Sequence, residues 1–185
     1  MSNLQAALVA YKNGDLIIVT DDADRENEGD LMLRADMATP EKVAFMVRHT
    51  TGILCVAMTA ERARTLRLPL MVEENQDSKK TAFTVSVDYK VGITTGVSAT
   101  ERSNTVRALA DDAATHADFI RPGHIFPLIA DVGGLAARGG HTDELAHIMR
   151  NGMLFRNGQG QCQGDKQNHH LFHHGYRISC VREHE

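Results

Sequence analysis

The chain has 185 residues and a net charge of −4, and 42% of its residues are hydrophobic, which is typical of one globular domain. Aromatic residues make up only 5%, Trp is absent and no Lys/Arg block stands out, so nucleic acid is a poor candidate partner. No apolar run reaches the roughly 20 residues of a membrane helix, and the N-terminus lacks a secretion signal. Three cysteines without disulfide-framework spacing favour a reducing, cytoplasmic location.

The first half of the chain alternates predicted helices and strands. Apolar residues at helical spacing predict a helix over 4–11, and the apolar runs 16–19 and 31–33 predict two buried strands. A helix is predicted over 39–49, because Thr-Pro-Glu supplies a cap, a proline in the first turn and an acid near the positive helix end. Residues 53–58 predict a further strand, followed by a threonine that can cap the next helix.

The second half continues this alternation up to about residue 130. Apolar and polar residues alternate over 83–89, which predicts a half-buried strand. Ser98 and Glu101 have capping-box spacing before another helix. The apolar run 125–129 is interrupted by Pro127, which favours an edge or short strand. We therefore predict an α+β fold, a mixed sheet flanked by helices.

The composition of the chain changes near residue 150. We predict one domain over 1–150, because this range contains neither a repeat nor a linker. The divergent C-terminal segment, 151–185, is Gly/Gln-rich over 158–164 and holds five of the ten histidines, from His169 to His184. It has no convincing amphipathic period, which is compatible with a poorly ordered segment.

The segment DDADRENEGD, residues 21–30, is the densest cluster of charge. If the segment is extended, four of its carboxylates share one face: Asp24, Glu26, Glu28 and Asp30. A divalent cation such as Mg²⁺ or Mn²⁺ would relieve their repulsion, since both prefer oxygen ligands. Arg25 adds a planar donor suited to a phosphate or carboxylate. A solvated acidic turn is an equally weighted alternative.

Two further segments carry polar groups beside turns. In RPGHIFP, residues 121–127, His124 follows a Pro-Gly turn and could serve as a general acid or base, although a lone histidine is more often structural. In TTGVSATER, residues 94–102, hydroxyls and a glycine precede a capped helix. That pattern suits phosphate binding, but an ordinary helix N-terminus is the favoured interpretation.

The segment RGGHTDE, residues 138–144, combines features of a phosphate site. Its two glycines allow close approach of the backbone to a ligand, and Arg138 can neutralise a phosphate. Backbone N–H groups near Thr142 would bind phosphate oxygens if a helix begins there. His141 is a candidate metal ligand. The alternative is a simple loop, since paired glycines are also common in loops.

Together these segments resemble one family, the 3,4-dihydroxy-2-butanone-4-phosphate synthases. The resemblance covers about residues 3–142 and rests on DDADRENEGDL, RHTTGILC, FTVSVD, GITTGVSATER, RPGHIFPL and RGGHT, in the family's order. It implies the family's fold, a homodimer and a lyase of riboflavin biosynthesis. Such an enzyme converts D-ribulose 5-phosphate into L-3,4-dihydroxy-2-butanone 4-phosphate and formate with Mg²⁺ or Mn²⁺.

The resemblance also implies roles for individual residues. His124 matches a histidine that is needed for catalysis, and Glu26 and His141 match metal ligands. The residues that match substrate-binding positions are Arg25, Glu26, Asp30, Arg138, Gly139, Gly140, His141 and Thr142.

The resemblance ends after about residue 143. Family members carry a Cys-Glu pair on a late strand, and its Glu is catalytically essential. Here Cys162 is followed by Gln163, and no Glu lies between Glu144 and Glu183. The alternative function is therefore a catalytically impaired homologue that retains sugar-phosphate and metal binding or dimerisation. A zinc site in the His-rich tail is a further alternative, although its spacing matches no common zinc pattern.

Overall fold

The computed structural model describes residues 3–21, 29–78 and 80–130, and the backbone of short strands between 153 and 180. The helices are α1 (Asn3–Lys12), α2 (Pro40–His49), α3 (Ala60–Thr65) and α4 (Ala99–Ala110), with 3-10 turns at Ala35–Met37 and His116–Asp118. The strands are β1 (Ile17–Asp21), β2 (Gly29–Arg34), β3 (Leu54–Met58), β4 (Val87–Tyr89), β5 (Phe119–Ile129), β6 (Met153–Phe155), β7 (Asn157–Gly158), β8 (Phe172–His173) and β9 (Tyr176–Cys180).

The nine strands of the described residues form one mixed sheet. Its order is β4-β5-β3-β6-β2-β1-β9-β8, and β7 also pairs with β2. Strands β3 and β5 are parallel, whereas β6 is antiparallel to both of its neighbours, β2 and β3. The predicted α+β class with a mixed sheet flanked by helices is confirmed.

Both faces of β2 and β3 are buried. On one face, Leu33 belongs to the same hydrophobic cluster as Val43 of α2. On the other face, Met32 and Cys55 belong to a second cluster with Tyr11 of α1. We call this second side of the sheet the α1 face. Because successive side chains of a strand point to opposite sides, burial on both sides explains why β2 and β3 are continuous apolar runs in the sequence.

Three helices begin at the capping residues that the sequence predicts. The hydroxyl of Thr39 accepts the Lys42 N–H at 3.3 Å, and that of Thr59 accepts the Arg62 N–H at 3.1 Å. Ser98 and Glu101 form both hydrogen bonds of a capping box. These side-chain acceptors satisfy N–H groups that have no partner within the helix, which fixes where each helix begins.

The prediction of a half-buried strand over 83–89 was wrong in part. Regular strand covers only Val87–Tyr89, and the polar residues Thr84 and Asp88 are buried, at 0% and 4% exposure. Thr84 Oγ1 donates to the Pro127 carbonyl at 3.0 Å, and Asp88 accepts hydrogen bonds from His124. Hydrogen bonds to β5 therefore satisfy Thr84 and Asp88, which the alternation of the sequence places on a solvent-exposed face of the strand.

The predicted edge position of the strand around Pro127 was also wrong. Strand β5 lies between β4 and β3, and β4 is the edge strand at this end of the sheet order. The Pro127 carbonyl accepts the Thr84 N–H at 3.0 Å. Because the nitrogen and carbonyl of one strand residue point to the same side, the Pro127 nitrogen, which has no N–H, also faces Thr84. Pairing there is limited to an isolated bridge between Phe83 and Leu128, so a missing N–H is tolerated.

Strands from beyond residue 150 join this sheet. Strand β6 lies between β2 and β3, and β9 pairs with β1. The boundary at residue 150 between a domain and a divergent segment stays a prediction. Within residues 3–21, 29–78 and 80–130, no helix is long and apolar enough to cross a membrane.

Candidate active site

Two of the predicted site residues, Asp30 and His124, lie toward the same end of the sheet. Strands β2, β3 and β5 run in the same direction, since β2 and β3 are each antiparallel to β6 and β3 is parallel to β5. The residue pairs between β2, β6, β3 and β5 can be extended toward the first residues of β2 and β5. Asp30 of β2 and His124 of β5 then lie at the same position along the strand direction. The acidic segment also joins β1 to β2 at this end, between Asp21 and Gly29.

Of the predicted site residues, Asp30 and His124 lie in the part of the chain that the structure describes. They are not in contact, because they are separated by three strand spacings of about 4.8 Å each, or roughly 14 Å. Asp30 is buried, at 1% exposure, and lies opposite Val19 and Asn157 in the sheet. The other predicted site residues lie outside the described residues: Arg25, Glu26, Arg138, Gly139, Gly140, His141 and Thr142.

Asp88, which no sequence motif marked as a site residue, contacts His124 directly. Asp88 Oδ1 accepts the backbone N–H of His124 at 2.9 Å, and Oδ2 lies 2.7 Å from Nδ1 of the imidazole ring. The Asp88 side chain is 5% exposed, whereas that of His124 is 37% exposed. The pair thus combines a buried carboxylate with an imidazole that solvent or a ligand can reach.

An irregularity in β5 places His124 over Asp88. Val87 pairs with Ile125, but the next residue, Asp88, pairs with Ile120, so residues 121–124 of β5 lie outside the regular ladder. This stretch is the RPGH segment singled out in the sequence. Register shifts of this kind redirect side chains and are common beside active sites.

Hydrogen bonds from Gly123 and Arg121 hold the irregular segment. The Gly123 N–H donates to Ser86 Oγ at 3.1 Å. The Arg121 guanidinium donates to the carbonyls of His116, Phe119 and Leu66, at 3.2, 3.1 and 2.6 Å. The segment is therefore bonded to the residue before β4 on one side and to the residue after α3 on the other.

Two glycines are needed around the pair because no side chain fits there. A Cβ on Gly123 would lie 2.0 Å from the carbonyl carbon of Val87. A Cβ on Gly96 would lie 2.2 Å from Asp88 Oδ2 and 2.7 Å from His124 Nδ1. Gly96 also has φ +79°, a conformation that other residues rarely adopt. The loop before α4 thus contacts the carboxylate–imidazole pair through its backbone.

Glu101 holds this loop in place. Its carboxylate accepts hydrogen bonds from the backbone N–H and hydroxyl of Thr94, and from the N–H and hydroxyl of Ser98. These donors, the Thr94 N–H foremost, lower the pKa of Glu101 to about 2. The carboxylate occupies donors that a phosphate would use, which agrees with the prediction of an ordinary helix N-terminus for TTGVSATER.

We expect this contact to make stability depend on pH. A carboxyl whose pKa is depressed on folding contributes stability that is complete above its unfolded pKa of about 4.3. That contribution is lost as pH falls through the folded value of about 2. Glu101→Gln should therefore be less stable than wild type at pH 6, and the difference should shrink toward pH 2. Urea unfolding across this range tests it, and two parallel curves would contradict the assignment.

A concavity lies away from these residues. It has a volume of about 690 Å³ beside α4 and is lined by polar residues that include Asp36, Arg107 and Asp118. Helix α4 packs on the opposite side of the sheet from the α1 face, and the cavity contains none of the predicted site residues. We assign the site to the His124 end of the sheet, because Asp30, Asp88 and His124 lie there.

The described residues do not themselves form a metal site. Within residues 3–21, 29–78 and 80–130, no group of three or more His, Cys, Asp or Glu side chains could hold a metal ion. The expected ligands, Glu26 and His141, lie outside these ranges.

Comparison with known proteins adds an independent line of evidence. The family model for 3,4-dihydroxy-2-butanone 4-phosphate synthase matches residues 5–158, which extends past Thr142, where the resemblance was expected to fade. The 3,4-dihydroxy-2-butanone 4-phosphate synthase of Agrobacterium fabrum is 49% identical over 150 residues, covering 81% of this chain and 70% of the relative. The riboflavin biosynthesis protein RibBA of Chlamydia trachomatis is 50% identical over 150 residues. This chain spans only 35% of that protein's length.

Solved structures give the same result. A crystal structure of 3,4-dihydroxy-2-butanone 4-phosphate synthase in complex with two magnesium ions matches with a TM-score of 0.81 and 41% identity. The match covers 90% of this chain and 80% of that chain. The Candida albicans enzyme matches with a TM-score of 0.74 and 43% identity, over 83% of this chain and 79% of the other.

None of these findings favours the catalytically impaired homologue over an ordinary family member. The prediction that the family's C-terminal catalytic Glu is missing concerns residues outside the described part, and it stays a prediction. A family match over 154 residues, the identities near 50% and the shared fold lead to one conclusion. The chain belongs to the 3,4-dihydroxy-2-butanone 4-phosphate synthase family.

Proposed function

We propose that this chain is an active lyase of riboflavin biosynthesis that converts D-ribulose 5-phosphate into L-3,4-dihydroxy-2-butanone 4-phosphate and formate. The observation that carries the proposal is the His124–Asp88 pair, which lies at the end of the sheet that also bears Asp30 and the acidic segment. The atoms of the two products sum to those of the substrate, so no co-reactant is required. We further propose that the protein acts as a homodimer in the cytoplasm.

The reaction requires side chains that transfer protons and a substrate that is held in a fixed position. The reaction begins with removal of a proton next to a carbonyl, which gives an enediol, and later steps move further protons before formate leaves. His124 can accept and return such protons, because its ring is partly exposed and has one nitrogen turned away from Asp88.

Binding of the sugar phosphate is assigned to residues on two segments. Arg25 and Asp30 would contact the substrate from the acidic segment. The phosphate would be held by the charge of Arg138 and by backbone N–H groups of Gly139, Gly140 and Thr142. Holding the phosphate end fixes the distance between the reacting carbons and His124, which lowers the entropy lost in each proton transfer.

Glu26 and His141 would hold the metal, and both would also contact the substrate through it. A carboxylate and an imidazole form a donor set that Mn²⁺ accepts readily, and the neighbouring carboxylates of the acidic segment suit Mg²⁺ as well. When bound, a divalent cation stabilises negative charge that develops on sugar oxygens. A related synthase binds two magnesium ions in its crystal structure, which supports this assignment.

The test is formate release from ribulose 5-phosphate by purified protein with Mg²⁺ or Mn²⁺. We expect turnover by the wild type and a loss of at least about 100-fold in Glu26→Ala, since a metal supplies several kcal/mol of charge stabilisation. Glu73→Ala, which removes an exposed carboxylate from a different loop, is the matched control and should retain activity. Calorimetric binding of ribulose 5-phosphate without any formate would refute the proposal and favour the impaired homologue.

A further inference from the structure

An exposed isoleucine lies between Asp30 and His124. Ile53 comes directly before β3, and the next residue, Leu54, pairs with Ile125 of β5. Extending this parallel pairing by one residue places Ile53 beside His124, one strand spacing of about 4.8 Å away. Through β6, the pairing of β3 with β2 places Asp30 at the same level on the other side, roughly 10 Å from Ile53. The three residues therefore form one row across the sheet.

Two side chains of this row lie on the α1 face because of strand alternation. Asp30 and Ile53 stand two positions before Met32 and Cys55, which belong to the hydrophobic cluster on that face. Side chains two positions apart along a strand point to the same side. Leu54, which follows Ile53, is fully buried in the cluster on the opposite face. Ile53 therefore points away from the side that α2 covers.

The third member of the row, His124, also lies toward the α1 face. Val87 and Tyr89 of β4 both pack in the cluster on the opposite face. Asp88 stands between them in a regular strand, so its side chain points to the α1 face. The His124 ring contacts Asp88, which brings the imidazole to the same side of the sheet as Ile53.

The α1 face is open to solvent at Ile53. The Ile53 residue is 49% exposed and the His124 side chain 37%, whereas Asp30 closes the other end of the row at 1%. A single exposed isoleucine is ordinary on a protein surface, but this one adjoins an imidazole at the end of the sheet assigned to the site. Binding sites for small molecules are mostly apolar, with a few polar groups that orient the ligand. We propose that Ile53 contacts the substrate, as the apolar floor on which the carbon chain of the sugar phosphate lies beside His124. This inference rests on the proposed function.

A sugar phosphate presents two chemically different kinds of surface. Its hydroxyl, carbonyl and phosphate oxygens require hydrogen bonds or a cation, while its C–H groups gain free energy from contact with an apolar surface. The branched side chain of Ile53 supplies that contact and excludes water from the space beside the imidazole. Exclusion of water strengthens the interaction of developing negative charge with the charged groups around it. Ile53 thus acts on both binding and turnover.

The experiment compares two substitutions of nearly equal shape. Ile53→Val keeps the floor apolar, and Ile53→Thr differs from it by one hydroxyl in place of a methyl group. By calorimetry we expect Ile53→Val to bind ribulose 5-phosphate within about threefold of wild type, and Ile53→Thr to bind about tenfold more weakly than Ile53→Val. The value of kcat/KM for formate release should fall in the same order. Val9 of α1 is also 49% exposed, so Val9→Thr is the matched control and should change neither quantity.

A larger side chain tests the space above the floor. Ile53→Phe should weaken binding of ribulose 5-phosphate and raise KM, each by at least about tenfold, because the ring occupies volume that the carbon chain needs. Val9→Phe adds the same bulk at an equally exposed position and should leave both quantities unchanged. Thermal unfolding of every variant should stay close to wild type, since half-exposed positions accept such changes.

Two outcomes would overturn the inference. These are equal affinity of Ile53→Val and Ile53→Thr for ribulose 5-phosphate, or wild-type affinity in Ile53→Phe. If Ile53→Phe does not fold, the comparison of Ile53→Val with Ile53→Thr decides. A wild type that binds the sugar phosphate but releases no formate defeats the proposed function alone, and calorimetry still tests Ile53. A wild type that does not bind ribulose 5-phosphate defeats both.

Discussion

Replacing Gly96 by alanine is expected to reduce turnover at least about 100-fold, because displacement of a catalytic group by about 1 Å has an effect of that size. The new Cβ would lie 2.2 Å from Asp88 Oδ2 and 2.7 Å from His124 Nδ1, so one of these atoms must move. Asp88 can move only by releasing the His124 backbone N–H. Formate release at saturating substrate measures the loss, and unfolding in urea measures stability in the same preparation.

Gly92→Ala is the matched control for this prediction. Gly92 has φ +72°, close to the +79° of Gly96, but nothing lies within 4 Å of its added Cβ. Both variants should lose about 1–2 kcal/mol of stability from the left-handed backbone conformation. The Gly96 variant alone should lose turnover. Equal loss of turnover in the two would show that backbone strain, and not contact with the pair, is responsible.

Replacing Gly123 by alanine is expected to destabilise the protein by about 3 kcal/mol or more. An added Cβ would lie 2.0 Å from the Val87 carbonyl carbon and 2.3 Å from the Asp88 nitrogen, both of them backbone atoms of β4. Rotation of a side chain cannot relieve that overlap, so either β4 or the irregular segment of β5 must shift. Urea unfolding at neutral pH measures the effect.

A substitution at Gly29 provides the comparison for Gly123. Its added Cβ would approach Thr20 Cγ2 at 3.2 Å, which is a side-chain atom that can give way. We expect Gly29→Ala to change the free energy of unfolding by less than about 1.5 kcal/mol. If Gly123→Ala proves as mild as Gly29→Ala, the segment around His124 is looser than its contacts with β4 indicate.

Local signals in the sequence predicted the helices well. The caps at Thr39, Thr59 and Ser98 depend on residues three positions apart, so a short window contains all the information. The buried strands were also predictable, because burial on both faces leaves a continuous apolar run. The order of strands was not, since β6 reaches its neighbours from about a hundred residues away in the sequence.

The candidate site was predictable where it depends on motifs and not where it depends on long-range pairing. His124 was identified from its segment, but its partner Asp88 lies 36 residues earlier. An alternating pattern places Asp88 on the solvent-exposed face of its strand. No neighbouring residue in the sequence indicates that β5 covers it. The FTVSVD motif that contains Asp88 was noticed for its alternation and for its resemblance, and neither gave Asp88 a role in the site. Roles for Arg25, Glu26 and the 138–142 stretch stay predictions.

The position of β6 also bears on how the protein is made. Strands β2 and β3 do not pair with each other, and Met153–Phe155 joins them. Residues 3–130 emerge from the ribosome well before β6. Until β6 follows, the edges of β2 and β3 that pair with it have unpaired N–H and C=O groups. The nascent chain therefore presents two open strand edges until this short segment has been synthesised. Chaperones that shield these edges in that interval are therefore expected to raise the yield of folded protein.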